Sequence, residues 1–169
     1  MKKQKSTREI KKKARKNLSN RFEKNNQNYV IDTSAVINKF VSKLIKKGLR
    51  GRIIIPNAVI AELENLANKG TEAGFLGLEE IASFHKLKRQ YKITVYFYGL
   101  RPNEMQIKFA KSGEIDSLIR DSAIKNKATL ITADLVQAKS AQAYGMKVIF
   151  LKPKEVELKK KRFLFWKKK

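Results

Sequence analysis

Apolar positions along the chain alternate between two rhythms. Short β-branched runs, NYVI at 28–31, RIIIP at 52–56, KITVYFYG at 92–99, ATLIT at 128–132 and KVIFL at 147–151, read as strands. Between them the apolar residues recur every three or four positions. In SAVINKFVSKLIKKG, Val36, Ile37, Phe40, Val41, Leu44 and Ile45 share one helical face, which predicts one helix ending at Gly48. NAVIAELENLANKG predicts a helix through Leu66, with Asn57 as its cap and Gly70 as its stop. GFLGLEEIASFHKLKRQ predicts another, starting near Gly74 or Leu76. RPNEMQIKFAKSG reads as a loop and a short helix. GEIDSLIRDSAIKNK predicts a helix with Ile115, Leu118, Ile119 and Ala123 inward, and ADLVQAKSAQAYG predicts the last. Strands alternating with helices predict an α/β fold, a parallel sheet with helices on both faces.

Four acids punctuate this pattern where strands end or helices begin: Asp32, Glu62, Asp116 and Asp134. In open parallel sheets ligands bind beyond the carboxyl ends of the strands, where Asp32 and Asp134 fall. Asp116 and Asp134 are also natural helix caps, and any one acid alone carries little. Four carboxylates in one cleft would repel one another, and a divalent cation with oxygen ligands offsets that repulsion. Glu64, Glu114 and Asp121 lie nearby and read as solvent-exposed helix charges.

Charge changes the picture most. The net charge is +24; residues 1–24 hold eleven Lys/Arg against two Glu, and residues 152–169 nine against two. Two basic arms thus flank a moderately basic body, and such arms gain affinity for phosphate backbones by releasing counterions. The division expected is a basic arm at 1–27 without stable structure, a domain at 28–151, and a tail at 152–169 that interleaves Phe163, Leu164, Phe165 and Trp166 with lysines. An acidic pocket within a basic protein points to hydrolysis of a polyanion.

Several other chemistries are excluded. Without cysteine there is no disulfide, zinc-thiolate site or thiol catalysis, which suits the cytoplasm. No apolar run approaches the roughly 20 residues of a membrane span, and the charged N-terminus has no apolar segment of a secretory signal. The run Asp32-Thr33-Ser34 lacks the second Asp of an aspartyl phosphotransferase, and neither GxGxxG nor a P-loop occurs. The one histidine, His85, sits in a lysine-rich helical pattern and reads as structural.

YVIDTSAVI, VIAELE, GEIDSLIRDSA and TLITAD, in that order, resemble the four acidic motifs of the PIN domain family of ribonucleases over about residues 28–151. The stretches NAVIAELENLANKGTEAGFLGLEEI and RPNEMQIKFAKSGEIDSLIRDSA resemble in particular the PIN domain of archaeal proteins that also carry a KH module and an ATPase domain. No P-loop accompanies them here, so ATPase function does not carry over. The resemblance implies an α/β/α sandwich with a central, mainly parallel sheet, and Mg²⁺- or Mn²⁺-dependent cleavage of single-stranded RNA. It implies that Asp32, Asp116 and Asp134 bind the metal, that Glu62 binds it directly or through water, and that Ser34 and Thr132 orient carboxylates or water. It also admits a homodimer through the early helices; the rival readings are a non-catalytic RNA- or ribosome-binding protein that keeps the fold as a scaffold, which the basic arms favour, and a toxin held by an antitoxin.

Overall fold

The computed structural model describes residues 27–110 and 113–152. The basic arm and the aromatic tail expected from the sequence lie outside the described residues, apart from Gln27 and Lys152. Five strands form one sheet: β1 (Asn28–Ile31), β2 (Gly51–Pro56), β3 (Ile93–Tyr98), β4 (Thr129–Thr132) and β5 (Val148–Phe150). Their spatial order is β3-β2-β1-β4-β5, and every pair is parallel. Seven helices connect and flank them: α1 (Thr33–Ile37), α2 (Phe40–Lys46), α3 (Asn57–Asn68), α4 (Glu72–Gln90), α5 (Glu104–Phe109), α6 (Glu114–Lys125) and α7 (Leu135–Ala143).

The β-branched runs explain the sheet. Ile53, Ile54 and Ile55 are consecutive and all buried, so both faces of β2 are covered. Val30, Ile31, Leu130 and Ile131 do the same for β1 and β4. Ile119 and Ala123 of α6, Val59 and Leu63 of α3, and Ile81 and Phe84 of α4 complete the core around these strands. Chain order reverses at β1: the chain steps outward to β2 and β3, then returns to β4 on the other side. The carboxyl ends of β1 and β4 therefore flank the topological switch point, the usual cleft of such sheets.

Three local expectations change. The apolar stripe from Val36 to Ile45 is not one helix. Lys39 takes a left-handed conformation (φ 53°) and separates α1 from α2. The restart of α2 gets no cap from Lys39; buried Glu80 of α4 instead accepts the Ser42 N–H at 2.8 Å. That bond satisfies an otherwise orphaned first-turn donor from a distant helix. Asn57 is likewise not the cap of α3, a position held by Pro56. Its Nδ2 donates to the Gly99 carbonyl at 2.6 Å and ties the start of α3 to the end of β3. The helix expected from Gly74 or Leu76 begins earlier, at Glu72.

Candidate metal centre at the sheet switch point

Asp32 is the first residue beyond β1. Its N–H still continues the ladder by donating to the Ile131 carbonyl at 3.0 Å, which pins the backbone while the side chain turns into the cleft. The carboxylate is buried, and both nearby hydroxyls donate to the same oxygen. Ser34 Oγ approaches Asp32 Oδ2 at 2.5 Å and Thr132 Oγ1 at 2.7 Å. Each hydroxyl also accepts a backbone N–H: Ala133 donates to Ser34 Oγ and Asp134 to Thr132 Oγ1, both at 2.9 Å. Since each hydroxyl has one proton and spends it on Asp32, their own 3.2 Å approach is a contact rather than a bond. The two hydroxyls thus lock the turn after β4 onto the carboxylate after β1.

Glu62 reaches the cleft from the second turn of α3, and Thr33 Oγ1 donates to its Oε2 at 2.6 Å. Asp116 stands in the first turn of α6, half-buried, without a capping bond from its side chain. Asp134 caps α7, its Oδ1 accepting from the Gln137 N–H at 3.0 Å, and is exposed.

These carboxyls feel one another. Burial pushes Asp32 above the ordinary carboxylate range; the Ser34 and Thr132 hydroxyls pull it back, and the charge on Asp134 adds to the rise. Burial also raises Glu62, with Thr33 opposing and the charges of Asp32 and Asp116 assisting. Asp116 is raised by burial and then by Asp32 and Asp134, against the pull of Arg120. The charges of Asp134, Asp116 and Glu62 are thus coupled to that of Asp32 or to one another, and Ser34 and Thr132 bond Asp32 directly. Among the described residues no three His, Asp or Glu side chains stand in a ready-made metal-binding arrangement. The donor set is nonetheless of one kind, carboxylate oxygen under mutual repulsion. It fits a hard divalent cation such as Mg²⁺ or Mn²⁺.

Glu64, Glu114 and Asp121 stay out of the cluster. Glu64 pairs with Arg101 near the surface, and Glu114 and Asp121 are exposed, as is His85.

Gln137 was not singled out by the sequence, yet it is buried at the centre of this region. Its Nε2 donates to the Asp116 carbonyl at 3.1 Å, and its Oε1 accepts from Arg120 Nη1 at 2.6 Å. A polar residue one turn into α7 is the only sequence signal for it, and its partners lie about twenty positions away.

A cavity of about 590 Å³ opens between the loop after β3, α5 and the first turns of α6, lined among others by Leu100, Arg101, Phe109, Glu114, Ile115 and Leu118 but by none of the four acids. Leu100 and Phe109 are exposed there.

Replacing Thr132 by Val tests the hydroxyl bridge. The change removes a donor to Asp32 and the acceptor of the Asp134 N–H. Asp32 should titrate still higher, since a bond favouring its ionised form is lost. Divalent-ion affinity, read by isothermal titration, should fall roughly 10–100-fold. Affinity equal to the wild type would show that the bridge does not position the acid.

The pattern of the PIN domain family matches residues 29–150. An uncharacterised KH- and PIN-domain-containing protein of Methanocaldococcus jannaschii is 40% identical over 130 residues, 76% of this chain and 20% of that protein. A Holliday junction branch migration ATPase of Sulfolobus acidocaldarius is 22% identical over 127 residues, 75% of this chain and 23% of that protein. The chain thus spans about a fifth of the length of the curated relatives it matches. A solved domain of a functionally unknown M. jannaschii protein superposes with a TM-score of 0.72 at 39% identity, covering 78% of this chain and 96% of that domain.

Proposed function

This chain belongs to the PIN domain family, generally a metal-dependent nuclease fold, and on that premise we propose that it is an endoribonuclease acting on single-stranded RNA. The observation that carries the reading is the acidic cluster at the switch point, with Asp32 buried, locked by two hydroxyls and repelled by its neighbours. Asp32, Asp116 and Asp134 would hold Mg²⁺ or Mn²⁺, with Glu62 completing the pocket. The ion, when bound, supplies an activated water and neutralises charge developing on the phosphate.

The side chains do the rest. Ser34 and Thr132 favour the ionised form of Asp32 and fix its orientation, leaving the second carboxylate oxygen for the ion. Thr33 does the same for Glu62. The cavity at the start of α6, with Phe109 and Leu100 exposed, offers an apolar platform to an unpaired base, and this favours a single strand over a duplex. The basic body, and the arms that carry most of the +24 charge, draw a polyanion toward the cleft.

The test is cleavage of an unstructured RNA with Mg²⁺ or Mn²⁺. Wild-type protein should cut internally, EDTA should stop it, and Asp116→Asn should lower the rate by at least about 10²-fold. Undiminished cutting by Asp116→Asn would defeat the mechanism. A non-catalytic RNA-binding role is favoured by the positive charge alone, and tight binding without cutting under either metal would establish it.

A further inference from the structure

The far end of the sheet carries a feature that the acid cluster does not use. Gly51 and Ile93 begin β2 and β3, at the opposite end of the strands from the acids. Six strand residues at about 3.3 Å each put roughly 20 Å between the two ends. A cavity of about 500 Å³ opens there, lined among others by Lys88, Arg89, Lys92 and Thr94. These three cations are exposed, and no acid occurs between Glu80 and Glu104 in the chain. Among the described residues the only ion pairs are Lys39–Glu79 and Arg101–Glu64, so the three have no carboxylate partner there.

An aromatic platform adjoins them. Arg52 pairs with Thr94 across the parallel ladder, which puts their side chains on one face of the sheet, and Tyr96 shares that face two residues on. The Arg52 guanidinium lies 4.7 Å from the centre of the Tyr96 ring, and the tyrosine is still 50% exposed. β3 is an edge strand, so nothing in the sheet covers this side. The Arg52 N–H donates to the Gln27 carbonyl at 2.9 Å. The basic arm, eleven Lys/Arg against two Glu in residues 1–24, therefore joins the domain at this same end.

Lys88 and Arg89 also complement the carbonyl end of α4. That role needs neither Lys92 nor an exposed tyrosine stacked under an arginine. Clustered cations beside a half-exposed aromatic ring match a strand with regularly spaced phosphates and flat, unpaired bases. An anionic membrane would answer to the cations but give the ring no stacking partner.

We infer that this end of the β2–β3 edge is a second binding surface for single-stranded nucleic acid, separate from the acid cluster. Lys88, Arg89 and Lys92 neutralise phosphates, and Tyr96, held flat by Arg52, stacks on a base.

The experiment uses the full chain in EDTA, so that cleavage plays no part and failure of the nuclease reading leaves the result standing. Binding of a fluorescent uridine oligomer of about twelve nucleotides is followed by anisotropy across a salt series. The triple variant Lys88→Ala/Arg89→Ala/Lys92→Ala should bind about 10-fold more weakly, and the magnitude of its log–log salt slope should drop by about 2. Tyr96→Ala should lose roughly 5–10-fold with the slope unchanged. A 4-thiouridine oligomer should crosslink in the wild-type protein to the peptide containing Tyr96. Affinity and slope equal to wild type in both variants would overturn the proposal. So would crosslinks confined to residues 1–26 and 153–169. Loss of binding to phosphatidylserine vesicles by the triple variant, with RNA binding intact, would overturn it in favour of a membrane surface.

Discussion

Asp32→Asn should abolish cleavage and yet make the metal-free protein more stable. Asn keeps an oxygen to accept from Ser34 and Thr132, so the hydroxyl bridge survives while the charge goes. Divalent-ion affinity and the cleavage rate should each fall by at least about 10²-fold. The stability effect follows from the direction of the shift. Asp32 is raised above its unfolded value by burial, so below about pH 4 both folded and unfolded chains hold its proton and the charge costs nothing. As pH rises through the folded value, the folded chain must ionise a buried group, and that stability is lost. Glu62 and Asp116 act in the same sense. The advantage of Asp32→Asn over wild type should therefore be small in acid and grow toward neutral pH, and comparing the two proteins cancels the general repulsion of a +24 chain. Adding Mn²⁺ should raise the wild-type melting temperature at neutral pH but not that of the variant. Thermal melts in EDTA between about pH 4.5 and 8 decide it; a variant less stable than wild type at neutral pH would contradict the assignment.

Gly74→Ala should destabilise the fold although it improves helix propensity. An ideal Cβ at Gly74 would lie 2.2 Å from the Ala67 nitrogen and 2.6 Å from the Leu63 carbonyl oxygen. Both are backbone atoms of α3, so no side chain can rotate away, and α3 and α4 must move apart. Alanine gains roughly 1 kcal/mol of propensity, which overpacking exceeds, for a net loss of about 2 kcal/mol. At this chain length each kcal/mol lowers the melting temperature by roughly 2–4 °C. Gly77→Ala should be milder, because its new Cβ meets side-chain atoms of Leu63, which can give. Glu62 precedes Leu63, so Gly74→Ala should also weaken divalent-ion binding. A variant as stable as wild type would show that the two helices are not in such close contact.

Much of this architecture is legible in the sequence because its signals are local. The β-branched runs and the intervening helical stripes are sufficient for a parallel α/β sheet; Asp32 and Asp134 stand where one rhythm gives way to the other, Asp116 in a first helical turn and Glu62 one turn further in. Where the reading falls short, the cause acts from a distance. The stripe from Val36 to Ile45 has no breaker, yet Lys39 turns left-handed and Glu80, some forty residues on, caps the restart. Asn57 has the chemistry of a cap but is used by Gly99 instead. Gly74 reads as a helix boundary when its role is to let two helices touch. Gln137 escapes notice because both partners of its side chain lie on another helix.

Gln137 also ties two of the four acids to each other. Its side chain grips the main chain of α6 at Asp116, while its backbone N–H holds the carboxylate of Asp134. Asp116 and Asp134 are thus linked through one side chain, while Asp32 is anchored to the ladder and bonded by two hydroxyls. The Thr132 hydroxyl joins the two groups, donating to Asp32 and accepting the Asp134 N–H.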